Sequence, residues 1–227
     1  MGTELKPEVL VVGSSITNLV IRLRRLRSPG ETRFGDRFFT ASGGKGANQA
    51  VAAAPNLLDR NFDIDTPNTV WASDITYLQS KVGWLYLTVF IDLFSRRIIG
   101  WCVSDSLHHE MVLKALRRAV KARRPTKGLV VHSDRGIQYC CEGFREKIAE
   151  YGLVQSMSRK GNCWDNAVSE SLFRSIRTEW AYPIDLDGLK HAEPELFEYI
   201  KVFYNNQRLH ALLDYVSPAD FERQKAA

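Results

Sequence analysis

Runs of apolar residues in the middle of the chain predict five β-strands. The first, at 70–78, is rich in β-branched and aromatic residues, and the second, at 85–91, is apolar on both alternating faces. A third strand is predicted at 97–103, and two shorter apolar runs follow at 128–132 and 154–157. Because short links join the first three strands, we expect them to form an antiparallel meander, with the second strand covered on both sides.

The segments between and after these strands have helical spacing. Residues 107–124 carry an apolar stripe, which predicts an amphipathic helix. A second helix is predicted at 144–151, and a third runs to about Trp180 from an N-cap at Asp165 or Asn166. Strands and helices in this alternation indicate an α/β fold. The apolar stripe of the first helix consists of Leu107, Met111, Leu113, Ala115, Leu116, Ala119 and Val120.

The first 54 residues have a different pattern. Residues 9–12 form a short apolar run that predicts one strand, and the glycines at 43–46 predict a turn that opens an alanine-rich helix. The pattern changes again after residue 54. We therefore predict an incomplete N-terminal segment at 1–54, a linker at 55–66, and a core domain with a C-terminal helical tail at 67–227.

The overall composition is ordinary for a globular protein, with 44% hydrophobic and 25% charged residues. The sequence lacks the features of a signal peptide and any apolar run long enough to span a bilayer, so we expect a cytoplasmic protein without a membrane partner. The four cysteines form no C-x-x-C pair, which argues against a structural zinc site.

Three acidic residues stand out by their positions. Asp74 lies inside the first predicted strand, where a buried charge is costly unless it has a partner or a metal ion. Asp134 follows the fourth strand, at the edge of an α/β sheet where ligands gather. Asp134 lies 60 positions after Asp74, and 35 residues separate it from Glu170, near the start of the third helix. Taken singly, Asp134 is more typical of a turn beside Gly136, and Glu170 of a solvated helix surface.

This spacing and its local sequence resemble the catalytic core of bacterial insertion-sequence transposases, which are built like retroviral integrases. The matching segments are WASDITY, HSDRGIQY and DNAVSES around the three acids, and YIKVFYNNQRLHALLDYVSPADF near the C-terminus. The resemblance begins at about Pro55 and extends to the end of the chain. It implies a ribonuclease H-like fold, with a five-stranded mixed sheet and helices on both faces.

The same resemblance implies a metal-dependent DDE mechanism, with Asp74, Asp134 and Glu170 as the catalytic residues. They would hold two Mg²⁺ (or Mn²⁺) ions, with Asp74 bridging both, and carboxylate oxygens are ligands that Mg²⁺ prefers. Water would first free a 3′-hydroxyl at the end of a DNA element, and that hydroxyl would then attack target DNA. Because three nearby carboxylates repel one another, we expect at least one raised pKa when no metal is bound.

The implied partners are DNA, as element ends and as target, further copies of the chain on that DNA, and a helper protein that supplies end recognition. Lys160, Arg174 and Arg177 are candidate DNA-binding residues, and the alternative is that they are solvated charges. Arg177 lies seven positions after the glutamate, so the two share a helix face. Trp164 and Tyr139 either stack on a base at a distorted DNA end or pack in the core.

The net charge of +5 is distributed unevenly. Residues 1–54 carry eight Lys and Arg against four Asp and Glu, whereas the rest of the chain carries 23 against 22. DNA affinity of the second part must therefore come from local patches. One basic run is either the solvated end of a helix or a phosphate-contacting surface. It consists of Arg117, Arg118, Lys121, Arg123, Arg124 and Lys127.

A second resemblance, to ribokinase and related carbohydrate kinases, is confined to the first 54 residues. It rests on the segments VVGSS, SPGET and GGKGANQAVAAA. Ile16 and Asn18 stand where that family places two polar sugar contacts, and its glycine-rich nucleotide motif is missing from this sequence. The residues that match a sugar-binding remnant are Gly43, Gly44, Lys45 and Asn48.

The ribokinase-like segment occupies the place of the end-binding helices of insertion-sequence transposases. We therefore expect impaired recognition of the element ends. Two alternatives to a working transposase follow from the same segment. One is a carbohydrate-kinase fragment with residual sugar binding, and the other is an inert relic of a transposon insertion into a kinase gene.

Overall fold

The computed structural model describes residues 8–12, 18–23, 37–41, 54–59, 61–159 and 163–226. Before residue 54 it describes the backbone of three strands. Contacts between residues divide the chain into two compact units, Met1–Ala53 and Ala54–Ala227.

The first unit contains a three-stranded antiparallel sheet. Its strands, in the order β1-β2-β3, are Glu8–Val12, Asn18–Leu23 and Arg37–Ala41. Val9 pairs with Arg22, and Val20 pairs with Phe39. β1 confirms the strand predicted at 9–12, whereas the sequence pattern did not predict β2 or β3. The glycine turn and most of the alanine-rich helix predicted after residue 42 lie outside the described residues.

The second unit is built on a five-stranded mixed sheet. Its strands are β4 (Val70–Ser80), β5 (Gly83–Asp92), β6 (Ile98–Ser104), β7 (Val130–Ser133) and β8 (Val154–Met157). Their order across the sheet is β6-β5-β4-β7-β8. β5 pairs antiparallel with β4 and β6, whereas β7 pairs parallel with β4 and β8. This topology confirms the predicted five strands, the antiparallel meander and the mixed sheet.

Helices pack on this sheet and continue to the C-terminus. They are α1 (His109–Arg123), α2 (Ile137–Cys140), α3 (Glu142–Glu150), α4 (Ala167–Ile176), α5 (Tyr182–Ile184), α6 (Leu189–Glu198) and α7 (Pro218–Ala226). Short 3₁₀ turns occupy Cys163–Asn166 and Ala211–Leu213, and π-helical turns at Arg177–Ala181 and Tyr199–Tyr204 extend α4 and α6. No helix in the described ranges is long and apolar enough to cross a membrane.

Alternation along β4 assigns the two faces of the sheet. Ala72 packs in one core with Leu172 and Ile176 of α4. Ser73, the next residue of the strand, points to the opposite face, where its hydroxyl lies 2.8 Å from that of Tyr139 on α2. The sheet is therefore covered on both faces, as the predicted fold requires.

α1 packs so closely against β6 that Gly100 leaves no space for a side chain. A Cβ there would lie 2.4 Å from the carbonyl oxygen of Ala115 and 2.8 Å from the Cβ of Ala119. The buried residues of α1 confirm the predicted amphipathic helix. They are Met111, Val112, Leu113, Ala115, Leu116 and Ala119.

The segment at 55–66 packs against the core, although the sequence pattern predicted a linker there. The carbonyl of Pro55 accepts from the N–H of Met157 at 3.2 Å, and the N–H of Leu57 donates to Ser156 Oγ at 2.9 Å. Leu58 is 7% exposed and belongs to the hydrophobic core. One buried leucine among polar residues has no periodicity, so the pattern did not indicate this packing.

Candidate active site

Parallel pairing of β4 with β7 brings Asp74 close to Asp134. Ser73 lies opposite Ser133 in this pairing, and each aspartate is the next residue of its chain. Asp74 lies on the same face of β4 as Ala72, which is the face that α4 covers. Two carboxyl groups from distant positions in the sequence therefore meet where β7 ends.

Glu170 reaches the same region from the first turn of α4. Its side chain is exposed, and its negative charge acts on Asp74 together with that of Asp134. The three acids thus come from the central strand β4, from the end of the neighbouring strand β7, and from the helix α4, which packs on β4. They are electrostatically coupled in the folded chain.

The pKa of Asp74 is raised to about 7. Burial is the largest cause, the charge of Asp134 comes second, and Glu170 adds a smaller effect. Two hydrogen bonds oppose the shift, one from the N–H of Ile75 to Oδ1 at 2.7 Å and one from Asn166 Nδ2 to Oδ2 at 2.8 Å. The expectation of at least one raised pKa is confirmed, but burial contributes more than the repulsion between carboxylates.

Asp165 and Asn166 hold the start of α4 in place, although neither caps the helix as predicted. The position before α4 has no side-chain capping bond, and the Asn166 amide donates to Asp74 instead. The buried Asp165 carboxylate accepts from the N–H of Arg159 at 2.8 Å, from its guanidinium at 2.9 and 3.0 Å, and from Asn56 Nδ2 at 3.0 Å. Asp and Asn are common helix N-caps, but here their side chains bond to residues outside the helix.

His132 links the same segment to the sheet. Its Nε2 lies 3.0 Å from the carbonyl oxygen of Asp165, and its Nδ1 lies 2.9 Å from Ser156 Oγ. Burial lowers the pKa of His132, which favours a neutral ring. Because a carbonyl only accepts, Nε2 carries the proton and Nδ1 accepts from the hydroxyl of Ser156. Nothing in the residue spacing indicated this link.

Asp134 forms a tight turn with Gly136. The N–H of Gly136 donates to Asp134 Oδ1 at 2.8 Å, and a Cβ at Gly136 would lie 2.8 Å from that same oxygen. The turn beside Gly136, which was the alternative interpretation of Asp134, is therefore present. It coexists with the effect of the Asp134 charge on Asp74, so the two interpretations are not exclusive.

Comparisons with known proteins identify the family. Models of the integrase core domain match residues 65–163 and 170–225, which together include all three acids. The chain is 40% identical over 174 residues to the transposase for insertion sequence element IS904 of Lactococcus lactis, covering 77% of this chain and 69% of that relative. The chain belongs to the insertion-sequence transposases with an integrase core. It is a DDE polynucleotidyl transferase, and its function is DNA transposition.

Other relatives extend the match towards the N-terminus of the transposase. The 31 kDa protein of insertion element IS600 from Shigella sonnei is 38% identical over 225 residues, which is 99% of this chain and 80% of that protein. The transposase InsF of IS3A from Escherichia coli K12 is 35% identical over 207 residues, which is 91% of this chain and 69% of InsF. Since the IS600 alignment includes nearly all of the first 54 residues, the comparisons give the carbohydrate-kinase alternative no support.

Solved structures confirm the ribonuclease H-like fold of the transposase. The HTLV-2 integrase catalytic core domain in complex with magnesium matches with a TM-score of 0.53 and 17% identity, covering 68% of this chain and 96% of that one. The catalytic core domain of BIV integrase gives a TM-score of 0.52 at 16% identity, covering 70% of this chain and 99% of that one. A chain of the simian T-cell lymphotropic virus intasome gives 0.58 at 15% identity, covering 70% and 55%.

The donor chemistry of the three acids in the transposase suits a divalent cation, because all three are carboxylates and the negative charges of Asp134 and Glu170 act on Asp74. In the described part of the chain, however, no three His, Cys, Asp or Glu side chains are arranged so as to hold a metal ion. Asn166 engages Oδ2 of Asp74, and Gly136 engages Oδ1 of Asp134. A cation that binds through these oxygens must share them with the present donors or displace those donors, and the role of the three acids as metal ligands stays a prediction.

Arg177 is the candidate DNA contact that the structure places near the acids. Its Nη1 donates to Thr76 Oγ1 at 3.0 Å, two residues along β4 from Asp74. Arg174 is exposed on α4. The remaining predicted binding residues lie outside the described residues: Lys160, Gly43, Gly44, Lys45 and Asn48.

Burial decides the alternatives for Tyr139, and pairing accounts for two of the six residues of the basic run. Tyr139 is fully buried, so it packs in the core and does not stack on DNA. In the basic run, Arg118 donates to the carbonyl of Trp101 at 2.8 Å, and Arg123 pairs with Asp92 at 3.1 Å. These two arginines are bonded to partners within the fold. They therefore belong neither to a solvated helix end nor to a phosphate-contacting surface. The side chain of Trp164 lies outside the described residues.

Proposed function

We propose that Asp74, Asp134 and Glu170 are the catalytic residues with which this transposase cuts and joins DNA. The supporting observation is the electrostatic coupling of three acids from distant positions at one edge of an integrase-type sheet. When bound, two Mg²⁺ or Mn²⁺ ions activate the attacking oxygen and stabilise the leaving oxygen of the phosphodiester. Asp74 would contact both ions, Asp134 one and Glu170 the other.

The other residues of the site position these acids and the DNA. Asn166 orients the carboxyl group of Asp74, and the loop before α4 fixes the start of the helix that carries Glu170. Lys160, Arg174 and Arg177 bind phosphates of the substrate, and Arg177 also contacts the strand of Asp74 through Thr76. Phosphate contacts of this kind give affinity that falls with salt and carries no sequence preference.

The proposed assembly is a homo-oligomer on DNA, with a helper protein supplying recognition of the element ends. Its support is the similarity to an intasome chain and to insertion-sequence transposases. We also propose that residues 1–54 descend from a carbohydrate kinase; this rests on the three matching segments alone and competes with the IS600 alignment over the same residues. Addition of ribose should leave the melting temperature unchanged, and a clear rise would show that a sugar site survives.

The test of the proposed function is metal-dependent cleavage of duplex DNA that carries the terminal sequences flanking this gene. The unaltered chain should nick these ends in Mg²⁺ or Mn²⁺ and remain inactive in EDTA. Asp74→Asn, Asp134→Asn and Glu170→Gln should each lower the cleavage rate by roughly 1000-fold or more. Asp105→Asn and Glu198→Gln, at exposed acids outside the site, are the matched controls and should retain full activity.

The same variants separate lost catalysis from lost folding. Mg²⁺ should raise the melting temperature of the unaltered chain, because a ligand bound only by the native state stabilises it. The shift should vanish in Asp74→Asn while the circular dichroism spectrum stays native. Undiminished cleavage by Glu170→Gln, or cleavage by the unaltered chain that persists in EDTA, would overturn the proposal.

A further inference from the structure

A cavity of about 590 Å³ lies beside the candidate active site, between α4 and the C-terminal segment. α4 contributes Ser171 and Ser175 to its wall, and the segment at 208–215 forms the opposite side. Its volume is in the range of pockets that hold small molecules or single residues of a polymer. Nothing described above assigns it a ligand.

The ionisable groups of the cavity wall suit an anion. Among the described residues that line the cavity, those that carry ionisable basic groups are Arg96, Arg208 and His210, and none is an Asp or Glu. Arg208 is paired with Glu179 at 2.6 Å, so most of its charge is already compensated. His210 has a pKa lowered to about 4 by burial and by Arg208, which leaves Arg96 as the cation available to a ligand.

Arg96 has an unsatisfied donor. Its Nη2 donates to the carbonyl of Phe62 at 3.0 Å, whereas Nη1 is buried and has no hydrogen-bond partner among the described residues. Asp63 and Asp92 are near enough to act on its charge, but neither accepts a bond from Nη1. Because Nη1 is closed to solvent, a phosphate would bind through the part of Arg96 that lines the cavity, where the charge of the guanidinium is not fully compensated by hydrogen bonds.

The rest of the cavity is apolar and has an exposed rim. Ile91 and Leu172 line its interior. Leu209, Leu212 and Tyr215 at the rim are 62%, 82% and 70% exposed, which is unusual for large apolar side chains so close together. An aromatic base would cover such a rim, since bases stack on aromatic rings and pack on aliphatic ones without sequence preference.

The position of the cavity on α4 connects it to the DNA site. Successive residues of an α-helix are separated by about 100° around its axis, so Ser171 and Ser175 lie beside Glu170 and Arg174 on the helix surface. A DNA strand held at Glu170 and Arg174 would therefore run along the mouth of the cavity.

We propose that this cavity takes up one nucleotide of the DNA strand held at the active site. The phosphate is bound at Arg96, and the base is covered by the rim formed by Leu209, Leu212 and Tyr215. The proposal rests on the proposed function, because it takes DNA as the polymer that passes Glu170. The cavity would thus be a second DNA-binding site, separate from the three carboxylates.

The test measures binding in EDTA, so that catalysis plays no part. The probe is a single-stranded oligonucleotide with one 2-aminopurine, titrated with the full chain while fluorescence and anisotropy are recorded. Leu212→Ser and Arg96→Gln should each weaken binding about tenfold and reduce the fluorescence change of the base analogue. Val82→Ser is the matched control, since Val82 is 74% exposed at the β4–β5 turn and outside the cavity.

The outcomes distinguish this proposal from the proposed function. Because the titration is run in EDTA, binding of the probe by the unaltered chain does not depend on catalysis, so a failed cleavage assay with the expected loss of binding in Leu212→Ser leaves the cavity assignment standing. Equal affinities for the unaltered chain, Leu212→Ser and Val82→Ser would overturn it. So would a change of oligomeric state in Leu212→Ser, measured by sedimentation, with DNA affinity intact, since a second copy of the chain would then cover the rim.

Discussion

Opposing effects on the ionisation of Asp74 determine how readily its carboxyl group can bind a cation. Burial and the charge of Asp134 disfavour its ionised form, whereas donors from Ile75 and Asn166 favour it. Each of these donors engages a different oxygen, at 2.7 and 2.8 Å. A metal ion that uses Oδ2 must displace or share the Asn166 amide, so Asn166 sets part of the cost of metal binding.

The hydrogen bonds of His132 lead to a prediction that separates two substitutions of similar size. His132→Gln should retain most of the metal-dependent cleavage, because a Gln amide can donate to the Asp165 carbonyl as Nε2 does. His132→Asn is too short to reach that carbonyl and should be destabilised by roughly 1–3 kcal/mol, since it leaves a buried acceptor unpaired. Urea unfolding and cleavage rates measure the two effects.

A positioning role for His132 requires more than lost stability. Because the link runs through Asp165 to the start of α4, His132→Asn should lower kcat at a temperature where the protein is fully folded, with KM for DNA little changed. If His132→Asn and His132→Gln have equal kcat values under those conditions, the link serves packing alone.

The residues of the site differ in how well the sequence revealed them. Asp74, Asp134 and Glu170 stood out because their spacing and neighbouring residues carry a recognisable pattern. Asn166 has the residue type of a helix cap, and only the fold shows that its amide turns to Asp74. The partners of His132 could not be predicted, because they come from segments that are joined by sheet pairing rather than by proximity in sequence.

Close packing of α1 on β6 leads to a prediction at the scale of elements. Gly100→Ala should cost about 2–3 kcal/mol, because the new methyl group would meet helix backbone that cannot move by itself. Gly143→Ala is the matched control on α3, where a Cβ has only ordinary contacts at 3.8 Å. It should be neutral or stabilising by about 0.5–1 kcal/mol, because alanine favours helix. Similar unfolding free energies for both variants would contradict the packing argument.

The C-terminal helix α7 is anchored by Glu222. Its carboxylate accepts from Arg97 at 2.6 Å, from Ser95 at 2.7 Å and from Arg123 at 3.1 Å. Burial by itself raises the pKa of Glu222, but these hydrogen bonds together hold the pKa below its usual value. The ionised form therefore stabilises the fold at neutral pH.

This anchoring predicts a dependence of stability on pH. Because the folded pKa of Glu222 is lowered, its contribution is complete above the unfolded pKa and is lost as the pH falls through the folded value. Glu222→Gln should thus cost about 3 kcal/mol at pH 7, as for a broken buried pair, and progressively less below about pH 4. Chemical unfolding across this range measures the difference from the unaltered chain, with Glu198→Gln as control. A cost that stays constant with pH would show that charge is not the cause.

Elements with long regular patterns were predictable, and those that depend on tertiary contacts were not. β4, β5 and α1 followed directly from runs and stripes of apolar residues. The helix expected to run to about Trp180 does continue to Ala181, but as a π-helical turn after Ile176, which a regular helical period does not predict. β2 and β3 are short, and their pairing has no counterpart in the local pattern.

At the scale of the whole molecule, the chain consists of two units of different size. The second contains the mixed sheet, the three acids and the cavity beside α4. Its hydrophobic core draws on strands β4–β6 and on helices up to Tyr204, with Leu58 as an additional member. The second unit therefore holds what folding of the integrase core requires, and it begins before the first core strand.

Two truncations decide where the folded core begins. A chain of residues 54–227 contains the complete core of the second unit. Its free energy of unfolding should therefore lie within about 1 kcal/mol of the value for the same unit in the full chain. A chain of residues 67–227 should lose about 2–4 kcal/mol. It lacks the buried Leu58, as well as the bond from Leu57 N–H to Ser156 and that from Asn56 to Asp165. Since Ser156 and Asp165 also hold His132, the shorter chain should lose cleavage activity before it loses its fold. Equal stability and activity of the two truncated chains would show that residues 55–66 are a linker after all.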